Sequence, residues 1–457
     1  MKYLRPNAFL AVCLGAALCS FAQTSKRSTD PGNVHPNGVV VEAVTSAEAR
    51  ETGIRAGDIL LRWSRREEHG DIQSPFEWIR VNLEQAPKGK VRVEGLRGRK
   101  PQSWLVGSDQ WGIETRPNLA GTWLSIYQEG QRLGKQGAAA QSSDRWRAAA
   151  AIARAEGLRW LECWLLSRIA ESLASAGRRD EADAEYKAAI DISEGVIRAE
   201  LLAEQIRHLL FRGDALAFDV YYVRVREEWQ KIDPNGMMVA NTFLWMGDAA
   251  LKRGDFDKAE QNLEQCLSIA KVIAPESIQT RAALGDLGFI SHFRGNLIQA
   301  ERYYLEELAL ERKSLLRTTV QSMVLTSLGV VAYNRGDWAK AERYYRKALE
   351  IVQALNPGSR EASLILNRIG DCRLKEGDLA TAERYQRRAL VIRKKINSGS
   401  TDVADIYVGL GNIAERRSNF GLAEAYDRQA LAVVEKLVPP PAHDIARIMV
   451  HLGSVVG

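Results

Sequence analysis

The sequence is poor in the residues that commit a chain to chemistry or to cross-linking. Five cysteines occur among 457 residues, none of them in a Cys-x-x-Cys pair, so neither a zinc site nor a disulfide framework is encoded. Cys13 and Cys19 lie in an N-terminal apolar run, and Cys163, Cys266 and Cys372 fall within helical patterns where a small buried hydrophobe is the expected role. The six histidines form no His-Glu-x-x-His motif, and His208 and His292 sit on helical patterns as packing or surface residues rather than ligands. Gly89-Lys90 lacks the upstream glycine and the following hydroxyl of a phosphate-binding loop. Gly107-Ser108-Asp109 has the composition of a turn, without the elbow that activates a serine. The expectation is a protein that is not an enzyme and that needs no metal and no cofactor.

Long apolar runs are also missing. A membrane-spanning helix needs roughly 20 apolar residues, and the best stretch, Ala8 to Leu18, is much shorter. It follows Lys2 and Arg5 and precedes Ser20-Phe21-Ala22, the charged start, apolar core and small-x-small end of a secretory signal peptide. Cleavage after Ala22 is predicted. Lipid attachment at Cys13 or Cys19 is the alternative, and neither has the small preceding residue that this modification favours. The expected order is therefore a signal peptide at 1–22 and a polar linker at 23–37, leaving a mature chain that is periplasmic or extracellular and has no integral membrane segment. The net charge of +6 forms no stripe with interleaved aromatics, since Arg343 to Lys347 alternate with Glu342 and Glu350. The densest cluster, Arg393-Lys394-Lys395, falls in the last turn of a helix, where cations complement the dipole. No nucleic-acid partner is predicted.

Proline is scarce at 13 residues and aromatics make up 7%, while Ala, Leu, Glu and Arg crowd the chain after Leu119, a composition that favours helix. Within that region one phrase recurs, beginning Gly254-Asp255-Phe256-Asp257-Lys258-Ala259-Glu260. It returns at Gly295, Gly336 and Gly377, and a fifth copy opens with Ser418 in place of glycine. The interval is 41 residues each time. Seven residues before each start stands another glycine, Gly247, Gly288, Gly329, Gly370 and Gly411, on a segment of helical apolar spacing. A residue without a side chain there lets two helices approach closely. The second glycine (or Ser418) ends the first helix in a left-handed conformation, and the Asp or Asn after it caps the second. Trp338, Ala341, Tyr345, Ala348 and Val352 then share one face of that second helix. The unit is a helix, a tight turn and an antiparallel helix.

This phrase resembles the tetratricopeptide repeat, which has the same glycine followed twelve residues later by alanine, as in Gly329 and Ala341. The period exceeds the usual 34 by about two helical turns, and the longer form is similar to the repeats of kinesin light chains and of bacterial arrays that precede CHAT-type peptidase domains. Degenerate copies around Trp123 to Ala155, Gly177 and Gly213 extend the array backwards, giving about eight helix pairs over 119–438. The fold class expected is mainly α, a right-handed superhelix of antiparallel helix pairs (an α-solenoid) behind a small N-terminal α+β domain. Residues 439–457 read as an incomplete terminal repeat helix without a cap, and that end is a further expected docking point.

Residues 38–116 change character, with short strands around Val39, Leu60, Val91 and Val93, a small helix at Ala47, and a second helix opened by Ser74 and Pro75. The run Gly53-Ile54-Arg55-Ala56-Gly57-Asp58-Ile59-Leu60 resembles the PDZ domains of bacterial Deg-type proteases. That resemblance implies a peptide bound as an added strand beside the second helix, through Ile79 and Leu83. It implies a carboxylate-holding loop at Trp111, Gly112 and Ile113, which comes last in a circularly permuted order, with Gly38, Val39 and Val40 contributing from the first strand.

The resemblance to tetratricopeptide repeats further implies that the first helices line a concave surface that holds protein or peptide partners. Its inward positions are Asn241, Asp248 and Lys252 in one repeat, and His292 and Phe293 in the next. Tyr333 and Asn334 follow, then Asn367, Asp371 and Lys375, and finally Asn412, Glu415 and Arg416. The function expected is an exported protein-binding scaffold. The alternative is the regulatory or sensing half of a CHAT-like peptidase system, truncated before its catalytic domain.

Overall fold

A computed structural model describes residues 38–107, 112–210, 215–311, 319–437 and 442–456. The expected signal peptide and linker, Trp111, and the turn expected at Gly213-Asp214 lie outside these residues. The chain divides into two compact units, Met1–Ala283 and Leu284–Gly457.

The first unit begins with an antiparallel sheet of β1 (Val39–Val44), β2 (Asp58–Arg65), β3 (Glu68–Asp71), β4 (Val91–Arg97), β5 (Lys100–Val106) and β6 (Ile113–Pro117). The order is β5-β4-β2-β1-β6, with β3 paired to β2. Alternation places Val39, Val41, Val91 and Val93 in the core with Leu60, Ile72 and Trp104. Gly95 lies against the Ile59 carbonyl, where a Cβ would overlap it, beside the bulge between Leu60 and Arg62. Asp58, 1% exposed, accepts from the Arg55 amide at 2.8 Å and pairs with Arg97 at 2.7 Å, which explains an acid at the start of a buried strand. Short helix α1 (Ala47–Glu51) follows β1, and α2 (Pro75–Arg80) follows β3, capped by Ser74 and continuing as a π-turn over Val81–Gln85. The β3 hairpin was not foreseen.

Helices then alternate in antiparallel pairs. In the first unit they are α3 (Gly121–Lys135), α4 (Ala139–Ala155), α5 (Arg159–Ser175), α6 (Arg179–Ile192), α7 (Gly195–Leu210), α8 (Ala215–Ile232), α9 (Met237–Arg253) and α10 (Phe256–Ile273). After α11 (Ile278–Phe293) the second unit holds α12 (Leu297–Glu311), α13 (Thr319–Asn334), α14 (Trp338–Leu355), α15 (Arg360–Glu376), α16 (Leu379–Asn397), α17 (Thr401–Arg416), α18 (Phe420–Val434) and α19 (Ala442–Val456). Among the described residues this makes eight pairs and a last unpaired helix, the repeat array expected from the 41-residue phrase.

The repeat glycines act as the spacing predicted. Gly254, Gly295, Gly336 and Gly377 have φ between +76° and +88°, and each following Asp or Asn accepts from the backbone amide three residues on. A Cβ on Gly247, Gly288, Gly329, Gly370 or Gly411 would press on Leu263, Tyr304, Tyr345, Gln386 or Asp427 respectively. Each of these lies sixteen residues after its glycine. Cys163, Cys266 and Cys372 are buried as free thiols.

Candidate functional site

The sheet domain and the array are joined within the first unit. Glu42 of β1 accepts from Tyr127 Oη at 3.0 Å and Gln131 Nε2 at 3.1 Å on α3. Phe76 of α2 belongs to the core built by Leu119, Trp123 and the helices that follow. The carboxylate of Glu84, 6% exposed, accepts from the Met238 amide at 3.0 Å, so a residue of the sheet domain caps the exposed amides at the start of α9. Lys88 neutralises the other Glu84 oxygen at 2.7 Å. The first helices of these pairs are accordingly buried around their whole circumference over Ala199–Ile206 and Met237–Thr242.

This arrangement bears on the residues expected to take a peptide. Val39 and Val40 are paired on both sides, with Leu60 and Ile59 of β2 and with Pro117 and Arg116 of β6, so no strand can be added at β1. Gly38 holds φ +100° against Leu60 and Leu61. The edge strand beside β1 is β6, and the Ile113 carbonyl at its start already accepts from Trp78 Nε1 at 3.2 Å. Gly112 turns at φ +99° against Thr45, and its carbonyl receives the Thr45 amide at 2.8 Å. Ile79 and Leu83 are partly buried, Leu83 against the helical core of the same unit.

Of the row expected on the array, Asn241 is not available. It is 3% exposed and its Oδ1 receives Gln279 Nε2 at 3.5 Å. Asp248 is partly buried and Lys252 exposed. In the second unit the residues do meet. His292 Nε2 lies 2.8 Å from Asn334 Nδ2, and burial lowers the imidazole pKa, so the neutral ring accepts from the amide. Phe293 is 53% exposed. Burial and the nearby Asp371 push the Tyr333 phenol up to about 12, leaving it a neutral donor. Asp371 itself is pushed up to about 6, chiefly by burial, against the opposing pull of Arg368 and of Gln386, whose Nε2 donates to Oδ1 at 3.0 Å. Asn367 has a buried Oδ1 with no hydrogen-bond partner, and Lys375 is exposed beyond it.

The last three expected positions differ from the others. Asn412 and Glu415 are engaged from within the chain by His451 of α19, whose Nε2 lies 2.5 Å from Asn412 Oδ1 and 3.5 Å from Glu415, while Nδ1 meets Asp427 at 2.7 Å. Arg416 remains exposed. Helix α19 is thus seated by hydrogen bonds, and Ile448 is buried in the same core as α17. Sequence reasoning missed Gln386, Asp427 and His451. The signal for Gln386 and Asp427 was a polar residue sixteen positions after the glycine, where earlier repeats carry Leu or Tyr, and no such spacing marks His451.

What the open part of the row offers is hydrogen bonding of both kinds: donors from Tyr333, Asn334 and Lys375, acceptors from Asn367 and Asp371. Among the described residues no group of three or more His, Cys, Asp and Glu side chains could hold a metal ion, and no helix is long and apolar enough to cross a membrane.

Comparison with known proteins bears on the array. No curated protein matches the sequence. A solved structure of BtubC (BKLC) from P. vanneervenii is 22% identical, covering 51% of this chain and 90% of that one with a TM-score of 0.41. A putative kinesin light chain of Podosopora anserina with nearly identical TPR-like repeats is 14% identical over 42% of this chain and 93% of that one, with a TM-score of 0.38. PilW, a widely conserved type IV pilus biogenesis factor, is 16% identical over 55% and 98%, with a TM-score of 0.41. Residues 238–313 and 320–395 match the family model of the tetratricopeptide repeat, and the helix pairs over these stretches are repeats of that kind.

Proposed function

We propose that this chain is an exported scaffold that holds a segment of a partner protein against the polar row on α13 and α15. The observation that carries the reading is Asn367 Oδ1, buried without a partner among the described residues, one turn before Asp371 on α15, a helix of the tetratricopeptide repeats. A buried acceptor without a donor carries a free-energy penalty that a partner's backbone N–H would relieve. The signal-peptide pattern of residues 1–22 supports export. The sheet domain, read as PDZ-like, serves in this proposal as a fixed adaptor, because β1 has no free edge and the first carbonyl of β6 is already used.

The test compares wild type with the Tyr333→Ala, Asn367→Ala double variant in pull-downs from the envelope fraction. Loss of a specific partner from a variant with an unchanged melting midpoint is expected. Equal recovery would remove the mapped row from consideration.

A further inference from the structure

The positive charge is not spread evenly over the second helices of the repeats. Helix α16 carries Arg384, Arg387, Arg388, Arg393, Lys394 and Lys395 against Glu383 alone. Arg387 pairs with Glu383 at 2.6 Å and Arg393 with Asp402 at 2.7 Å. Arg384, Arg388 and Lys395 are exposed and make no ion pair among the described residues. They fall, with Val391, at intervals of four, three and four residues, so they form one stripe along the helix. The preceding second helix, α14, repeats the pattern at its start with Arg343 and Lys347, both exposed and without an ion pair among the described residues.

The two stripes are neighbours. The Arg346 guanidinium of α14 lies 5.6 Å from the ring centre of Tyr385 on α16, and Arg384 and Arg388 lie 6.0 Å from the same centre. Among the described residues, only Arg346 of the three has a carboxylate partner, Glu342 at 2.6 Å. Three guanidiniums round one ring repel one another, and the helix dipole accounts only for the lysines of the last turn. We infer that the outer face of α14 and α16 is a docking surface for an anionic lipid membrane.

The choice of lipid rests on what accompanies the charge. Val391, 58% exposed, stands within the stripe, and Leu355 and Ile396, 55% and 48% exposed, lie in the last turns of α14 and α16. Apolar side chains interleaved with cations suit the headgroup region, where basic stems and small apolar groups are both accommodated. Nucleic acid is disfavoured, because Tyr385 is 9% exposed and cannot stack on a base. The stripe from Arg384 to Lys395 runs about 16 Å, and two packed helices add about 10 Å of width, a footprint of several headgroups. Glu350, exposed three residues after Lys347 on the same face of α14, offsets one of the five cations of the two stripes and leaves the surface net positive. The surface goes beyond the partner-holding reading and does not depend on it.

The experiment is co-sedimentation of the whole mature chain with vesicles of phosphatidylcholine, with and without phosphatidylglycerol, at low and high salt. Binding to the anionic vesicles alone, falling with salt, is expected. Each cation near such a surface contributes about fivefold in partition, so Arg384→Gln with Arg388→Gln should weaken binding about 25-fold. Lys90→Gln with Lys100→Gln removes the same charge from the sheet domain and should leave binding nearly intact. These side chains are exposed, and an unchanged melting midpoint verifies the fold of each variant. No binding by wild type to anionic vesicles overturns the inference, as does equal binding to neutral ones. So does an equal loss in both variant pairs, or binding to polyglutamate in solution by a chain that ignores the vesicles.

Discussion

Glu342 of α14 and Arg373 of α15 meet at 2.6 Å across consecutive helices, and the same carboxylate also holds Arg346 at 2.6 Å, four residues along its own helix. The arrangement recurs. Glu383 holds Arg387 and Arg417, each at 2.6 Å, and Glu301 holds Lys340 at 2.5 Å together with Arg335. In three of the five copies of the phrase, the closing glutamate therefore stitches its repeat to the next one.

Replacing Glu342, 4% exposed, by Gln should lower unfolding free energy by about 2 kcal/mol, since two guanidinium partners lose their anion at once. A double-mutant cycle with Arg373→Gln should return a coupling of about 1 kcal/mol. Denaturant unfolding measures both, and a coupling of zero would mean that the pair is ornamental. Arg417, then Arg387, hold the Glu383 carboxyl below the usual carboxylate range. Its contribution is therefore complete at neutral pH and is lost as pH falls through the folded-state pKa.

Ser418 occupies the turn that glycine fills in the four preceding copies, at φ +58°. A residue with a Cβ is strained there. Ser418→Gly should stabilise the second unit by about 1 kcal/mol, seen as a raised melting midpoint. No change would place the strain elsewhere in the turn.

Gly329 has the ring of Tyr345 where its Cβ would be, whereas Gly453 on α19 has nothing within 4 Å. Gly329→Ala should cost about 2 kcal/mol by overpacking. Gly453→Ala should be neutral or gain up to about 1 kcal/mol from helix propensity. The pair of thermal midpoints separates close approach from the general penalty of glycine in a helix.

Asp371 has its pKa pushed up to about 6 by burial. The folded state thus holds its proton more tightly than the unfolded chain, so this group favours folding as pH falls from 7 toward 4 and opposes it above about 6. Arg368 and Lys375 moderate the shift and Asp405 adds to it. Asp371→Asn should raise the melting midpoint at pH 7.5 and flatten its dependence between pH 5 and 7. An unchanged slope would assign that dependence to another group.

The repeats from Asn241 onwards were legible because their turns announce themselves: glycine, then Asp or Asn, every 41 residues. The earlier pairs follow a different rule that was not read. Gly137, Gly157 and Gly177, twenty residues apart, all turn at φ between +72° and +79°, so a shorter spacing marks those helices. The surroundings of the candidate row were only partly legible. Periodicity names the residues on a helix face but not what lies against that face, and so it could not foresee Gln279 on Asn241 or His451 on Asn412 and Glu415. Nor does any local pattern reveal that Glu84 caps a helix 154 residues away.

The side chain that fills the space left by each close-approach glycine drifts along the chain, from Leu263 through Tyr304 and Tyr345 to Gln386 and Asp427, the last two completely sequestered from solvent. A hydrocarbon plug holds its helices whatever surrounds it, but an amide or a carboxylate holds them only while its acceptor or donor stays in place. Cohesion in the late repeats is therefore conditional on Asp371 and His451, and loosening either should let solvent reach the amides of α16 to α19 before those of α12 to α14 begin to exchange.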